Sequence, residues 1–131
     1  MTAKRRIGPA LLLTLGVLSM VSPLATDIYL PTLPRISDDF GATATQAQLS
    51  LTGFMVGMML GQLVFGPLAD RFGRRGPLLV GTVFFVLASA AAVMAPTIGV
   101  LIVARLVQGF SGAAATVIAR AIVTDLARGQ E

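Results

Sequence analysis

Two charged residues stand inside apolar runs: Asp27, within "LATDIYL", and Arg105, within "LIVARLVQ". A carboxylate in an apolar medium can take up and release a proton, and access from one side at a time would let it carry that proton across. Arginine keeps its proton in a protein, so Arg105 can act only as a fixed charge that tunes a partner or holds an anion. At 1.5 Å of rise per residue, Asp27 lies roughly 5 Å and Arg105 roughly 10 Å from the same end of their runs. That difference of about one helical turn is within reach of an arginine side chain. Two readings stay open: a buried structural ion pair, or a proton-titratable Asp27 with Arg105 beside it. Gln108, three residues after Arg105, would either hold solute or water in a cavity or satisfy an interhelical hydrogen bond.

A second constellation, "GPLADRFGRRG" at 66–76, gathers Asp70, Arg71, Arg74 and Arg75 in a chain otherwise poor in charge. Arginines at the mouth of a membrane span are favoured by anionic headgroups. That accounts for Arg71, Arg74 and Arg75. It leaves a buried-side Asp70 and the glycines at 66 and 73 unexplained, and these suggest a short turn shaped to meet something.

The elements that must position these residues follow from composition. The chain has 131 residues, 55% hydrophobic and 12% charged, with mean hydropathy +0.84. A soluble domain of this size could not hide so much apolar surface, so the bilayer is the expected solvent. Four apolar runs, about 9–30, 44–69, 77–94 and 98–124, each approach the roughly 20 residues needed to cross hydrocarbon. The fold class expected is therefore an all-α membrane protein of four transmembrane helices. "PTLPRISDDFG" (31–41) breaks the first pair of spans, Thr43 and Gln46 match a capping box that opens the second, and "APT" (95–97) turns between the third and fourth. The second span is expected to end near Gly66-Pro67, with Asp70 at its mouth.

Weaving four times places Lys4, Arg5, Arg6, Arg71, Arg74, Arg75, Arg120 and Arg128 on one side and only Arg35 in a loop on the other. By the positive-inside rule both termini are expected in the cytoplasm. Residues 4–6 and "SPLA" also resemble a secretory signal ending near Ala25, but Pro23 fits the cleavage pattern poorly and the run is long enough to span. The net charge of +4 and pI near 11.2 reflect this asymmetry, and no nucleic-acid partner is expected.

Gly53, Gly57 and Gly61 form a doubled small-xxx-small stripe that admits a close helix, while Met55, Met58 and Met59 face lipid, a neighbour or an adaptable cavity. Enzyme motifs are missing. "GFSGA" (109–113) lacks the last glycine of a nucleophile elbow, and the chain has no His and no Cys. "GRRG" lacks the Lys-Ser/Thr of a phosphate loop. No metal, cofactor or catalytic chemistry is expected.

"GPLADRFGRRGPLL" (66–79) resembles the signature of the major facilitator superfamily between its second and third helices, through Gly66, Leu68, Asp70, Arg71, Gly73, Arg74 and Arg75. "RLVQGFSGAA" (105–114) resembles its fourth-helix motif through Arg105, Gln108 and Gly109, with Ser111 at a variable small position. "TDIYLPTLP" (26–34) resembles the bicyclomycin-resistance/CflA drug-exporter branch. The resemblance implies the first third of a twelve-helix fold, an incomplete N-terminal half over residues 1–131 whose C-terminal half is missing. It implies a drug:proton antiporter of a bacterial inner membrane, with lipid, protons and a drug-like small molecule as partners.

By the same resemblance Asp27 and Arg105 serve proton coupling, and Tyr29 and Gln108 line the substrate cavity. Gly66, Asp70, Arg71, Gly73, Arg74 and Arg75 would form a cytoplasmic gate, with Asp70 meeting a helix end of the missing half and charges at Arg120 and Asp125. Three alternatives stay open: a complete four-helix dimeric small multidrug exporter, a non-transporting membrane interaction fragment, and a carrier of another substrate such as a sugar. The lopsided Lys/Arg distribution speaks against the first, because dual insertion needs a weak bias.

Overall fold

The computed structural model describes residues 8–128, which are helical almost throughout. Helix α1 runs Pro9–Tyr29 and passes through a 3-10 turn, Leu30–Thr32, into the short α2, Leu33–Phe40. Then come α3 (Ala44–Phe72), α4 (Arg75–Val93) and α5 (Ile98–Arg128). Three helices, α3, α4 and α5, are long and apolar enough to cross a membrane, and a fourth span counts if Pro9–Met20 and Pro23–Phe40, bent by 43°, are taken as one. Pro23 lies within α1; it cannot donate to the carbonyl one turn back, the usual cause of such a bend.

Three boundaries differ from the sequence reading. The segment 31–41, expected as a break, is a 3-10 turn followed by α2. Pro31 and Pro34 sit in the first turns of their elements, where a missing N–H costs nothing. Helix α3 continues through Gly66-Pro67 to Phe72, past the expected residue 69, and α5 continues past residue 124. The link between α3 and α4 shrinks to Gly73 and Arg74. Gly73 ends α3 at φ +84, a left-handed conformation that a side chain would strain.

Local chemistry starts α3 as expected. The Thr43 hydroxyl accepts from the Gln46 N–H at 3.2 Å, and the Gln46 side-chain oxygen accepts from the Thr43 N–H at 3.0 Å. At the far end of the α4–α5 pair, the Thr97 hydroxyl accepts from the Val100 N–H at 3.3 Å.

Helix α5 is the centre of the assembly, packing on α1, α3 and α4, with its largest interface against α3. A Cβ on Gly57 would strike the Leu106 carbonyl, and one on Gly109 would strike the Phe54 carbonyl. The stripe on α3 and the glycine on α5 thus let two backbones touch, which in lipid is where packing energy is gained. Outward faces carry exposed Leu13, Leu63, Val83 and Val93, as expected of surfaces solvated by lipid or by further protein.

Candidate functional site

Arg105 is the most deeply placed charge among the described residues, with 4% of its surface exposed. Its guanidinium carbon lies 4.0 Å from the centre of the Tyr29 ring and 4.3 Å from that of Phe54. Cation–π contact of this kind contributes about 2 kcal/mol or more once water is excluded. The Nη1 group donates to the Gln108 side-chain oxygen at 2.6 Å. Gln108 in turn donates through Nε2 to the Ser89 hydroxyl at 2.7 Å, and Ser89 donates to the Phe85 carbonyl at 2.7 Å. The Arg105 Nε and Nη2 atoms are buried and have no hydrogen-bond partner among the described residues.

On the other side of the ring contact, the Tyr29 and Ser50 hydroxyls lie 2.5 Å apart. Ser50 is fully buried and spends its one hydrogen on the Ala47 carbonyl at 2.5 Å. The Tyr29 hydroxyl is therefore the donor. Tyr29 of α1 and Phe54 of α3 face the guanidinium on α5 directly, and Ser89 of α4 is joined to it through Gln108.

Of the residues singled out from sequence, Arg105, Gln108 and Tyr29 are brought together. Asp27 is not. It is exposed, and the one ion pair among the described residues joins Arg74 to Asp125. The direct Asp27–Arg105 bridge considered from sequence is not made, and the reason is angular. Positions two apart on a helix differ by about 200° around its axis. With Tyr29 turned to Arg105, Asp27 is turned away.

The charged loop is arranged differently from expectation as well. Arg74, partly buried, bonds the exposed Asp125 carboxylate near the end of α5. Asp70, read as buried-side, is exposed and makes no ion pair among the described residues. Arg71 lies over the Phe72 ring at 5.3 Å, and Arg75 is exposed. A Cβ on Gly66 would meet nothing within 4 Å, so close packing does not require that glycine here.

Arg120 is exposed and borders a cavity of about 280 Å³ among α1, α3 and α5, shared with Ser19, Thr26, Met58, Gln62 and Thr116. A wholly apolar cavity of about 510 Å³ opens between α4 and α5. Among the described residues no three His, Cys, Asp or Glu side chains gather to hold a metal.

Sequence reasoning missed Ser50, Phe54 and Ser89. Ser89 had one available signal: it is the only polar residue between Val83 and Val93. It precedes the turn at Pro96 by seven residues where Arg105 follows it by nine, so antiparallel helices place them at similar depth.

The family model described as Major Facilitator Superfamily matches residues 15–131. An uncharacterized MFS-type transporter of Bacillus subtilis is 45% identical over 130 residues, covering 99% of this chain and 32% of that protein. A bicyclomycin resistance protein homolog of Haemophilus influenzae is 40% identical, covering 88% of this chain and 29% of that protein. Multidrug resistance protein D of Escherichia coli is 34% identical, covering 94% and 31%. The chain thus spans about a third of the length of the curated relatives it matches. No solved structure matches it.

Proposed function

The chain belongs to the major facilitator superfamily, and from that premise we propose that it is the N-terminal part of a drug:proton antiporter of a bacterial inner membrane. The observation that carries this reading is the Arg105 cluster: a buried guanidinium at the meeting of four helices, with two N–H groups unpartnered. Buried charge inside a membrane is costly and marks a pathway for ions or solute. The drug-resistance names of relatives in Haemophilus influenzae and Escherichia coli support a drug-like solute moving outward.

In this reading Asp27 is the proton carrier. It lies in the first span without an ion-pair partner among the described residues, a carboxylate whose charge a proton can neutralise. Protonation from outside and release inward, as the cavity changes face, drive the solute the other way. Arg105 serves as the fixed charge, and Tyr29 and Gln108 border the solute path. Since Asp27 and Arg105 face apart, they act on each other through movement of α1 and not through a standing bridge.

The loop charges form the cytoplasmic gate, with both termini on that side. Arg74 and Asp125 already tie the α3–α4 link to the end of α5. Asp70, Arg71 and Arg75, pointing outward, are left to meet the C-terminal half of the transporter; Gly73 shapes the turn beside them, and Gly66, inside α3 with open space around it, leaves room there for a neighbour. Arg120 borders the cavity among α1, α3 and α5.

The test uses the longest product of the native gene in inside-out membrane vesicles. An acid-interior gradient should drive a labelled drug such as chloramphenicol or bicyclomycin into the lumen, and a protonophore should stop it. Uptake that ignores the protonophore, or no uptake across a panel of antibiotics with uptake of labelled sugars instead, would remove the proposal.

A further inference from the structure

The hydrogens in the cluster around Arg105 can be assigned one by one. Ser89 has a single hydroxyl hydrogen, given to the Phe85 carbonyl at 2.7 Å. Toward Gln108 it can therefore only accept, and it receives the amide NH₂ at 2.7 Å. That fixes the amide so that its oxygen faces Arg105, where it takes the Nη1 hydrogen at 2.6 Å. A serine on α4 is thus joined to a guanidinium on α5 through one amide, without touching it.

The grip is one-sided. Gln108 holds Nη1, while Nε and Nη2 are buried and unpartnered. In a guanidinium the Nε–H and one Nη2–H run parallel along one edge, the fork that clasps a carboxylate with two hydrogen bonds. Tyr29 and Phe54 offer only ring faces to the cation, and a ring face cannot satisfy a pair of parallel donors. Two buried N–H groups of a cation are expensive to leave unmade, and Arg105 is only 4% exposed.

We infer that Ser89, acting through Gln108, is a positioning residue that holds Arg105 by Nη1 and keeps its Nε–Nη2 edge in place to bind a carboxylate. The carboxylate comes either from an acidic solute or from Asp27 after α1 rotates, and the chemistry at the fork is the same. The inference rests on the proposed function only in taking this cluster as part of the transport path.

The test is thermal stabilisation of the purified full-length transporter by butyrate, with butyramide as the neutral isostere. Butyrate should raise the unfolding temperature saturably and butyramide should not. If the fork accepts solute, wild type responds; if Asp27 is its partner, only Asp27→Asn responds. In whichever background responds, Ser89→Ala and Gln108→Ala should each weaken the apparent butyrate affinity by about five-fold, the worth of one hydrogen bond. The double variant should be no weaker than either single one. Ser89→Thr, which keeps the hydroxyl, should restore affinity and so separates positioning from misfolding. Equal effects of butyrate and butyramide, no response in either background, or an unchanged affinity in a folded Ser89→Ala would overturn the inference. Butyrate binding with no proton-driven drug uptake would instead remove the proposed function and leave this one standing.

Discussion

Tyr29 on α1 lays its ring 4.0 Å from the guanidinium carbon of Arg105 on α5, and Asp27, two residues away, thereby faces elsewhere. The relationship decides how the two intramembrane charges can work together. Arg105 is stabilised by aromatic faces and one amide, while Asp27 has no ionic partner among the described residues. In the proposed antiporter, coupling between them would run through motion of α1.

The Tyr29 contact has two separable parts. Tyr29→Phe keeps the ring and loses the hydrogen bond to Ser50, a change of about 1 kcal/mol. Tyr29→Leu also loses the cation–π contact, for a combined loss of about 3 kcal/mol. Unfolding temperatures in detergent should therefore rank wild type, Tyr29→Phe, Tyr29→Leu in descending order. Equal values for the two variants would mean that the ring contributes nothing to Arg105.

Backbone contact between α3 and α5 predicts sharp glycine dependence. Gly57→Ala and Gly109→Ala drive a methyl into a carbonyl of the facing helix, an overpacking cost of about 1–3 kcal/mol each. Gly66→Ala meets open space and should leave the yield of folded, monodisperse protein unchanged. If Gly66→Ala then impairs transport, its role lies in the gate and not in the packing of these helices.

The turn between α3 and α4 gives a third expectation. Gly73→Ala forces a side chain to φ +84 at a cost of about 1–2 kcal/mol. Protease accessibility of the 70–76 segment should rise in this variant and stay at the wild-type level in Gly76→Ala, where φ is ordinary and a Cβ meets nothing.

Arg74 and Asp125 are partly exposed, with relative side-chain exposures of 33% and 60%. Solvent screening limits such a pair to about 0.2–1 kcal/mol. A double-mutant cycle with Arg74→Gln and Asp125→Asn should return a coupling in that range that shrinks with added salt. A coupling of several kcal/mol would mean that further groups of the transporter close over the pair.

The sequence showed most of what depends on length and composition. The apolar runs announced α3, α4 and α5, and Thr43 with Gln46 announced the start of α3, because capping is a local interaction between residues three apart. Depth along a helix was legible too, which brought Arg105 to notice beside Asp27. Azimuth was not, since which way α1 turns is decided by the fit of Tyr29 against Arg105 and Ser50, all distant in sequence. Ser89 was hidden for a similar reason: a lone serine in an apolar run can bond its own helix or a neighbour, and here it does both. Pro31 and Pro34 read as a break because proline ends helices more visibly than it begins them, yet both sit where helical turns begin. Pro67 likewise marked an end that α3 passes by five residues at Phe72, since one missing hydrogen bond near a helix end is tolerated when neighbours pack the rest.

Whether Asp27 carries the proton is decided by Asp27→Asn in the full-length transporter reconstituted in vesicles. Two rates are compared: uphill drug movement driven by an imposed pH gradient, and drug counterflow with no gradient. Asp27→Asn should lose the gradient-driven movement and retain counterflow, because the solute path survives while the proton has no carrier. Gradient-driven movement at the wild-type rate in Asp27→Asn would contradict it.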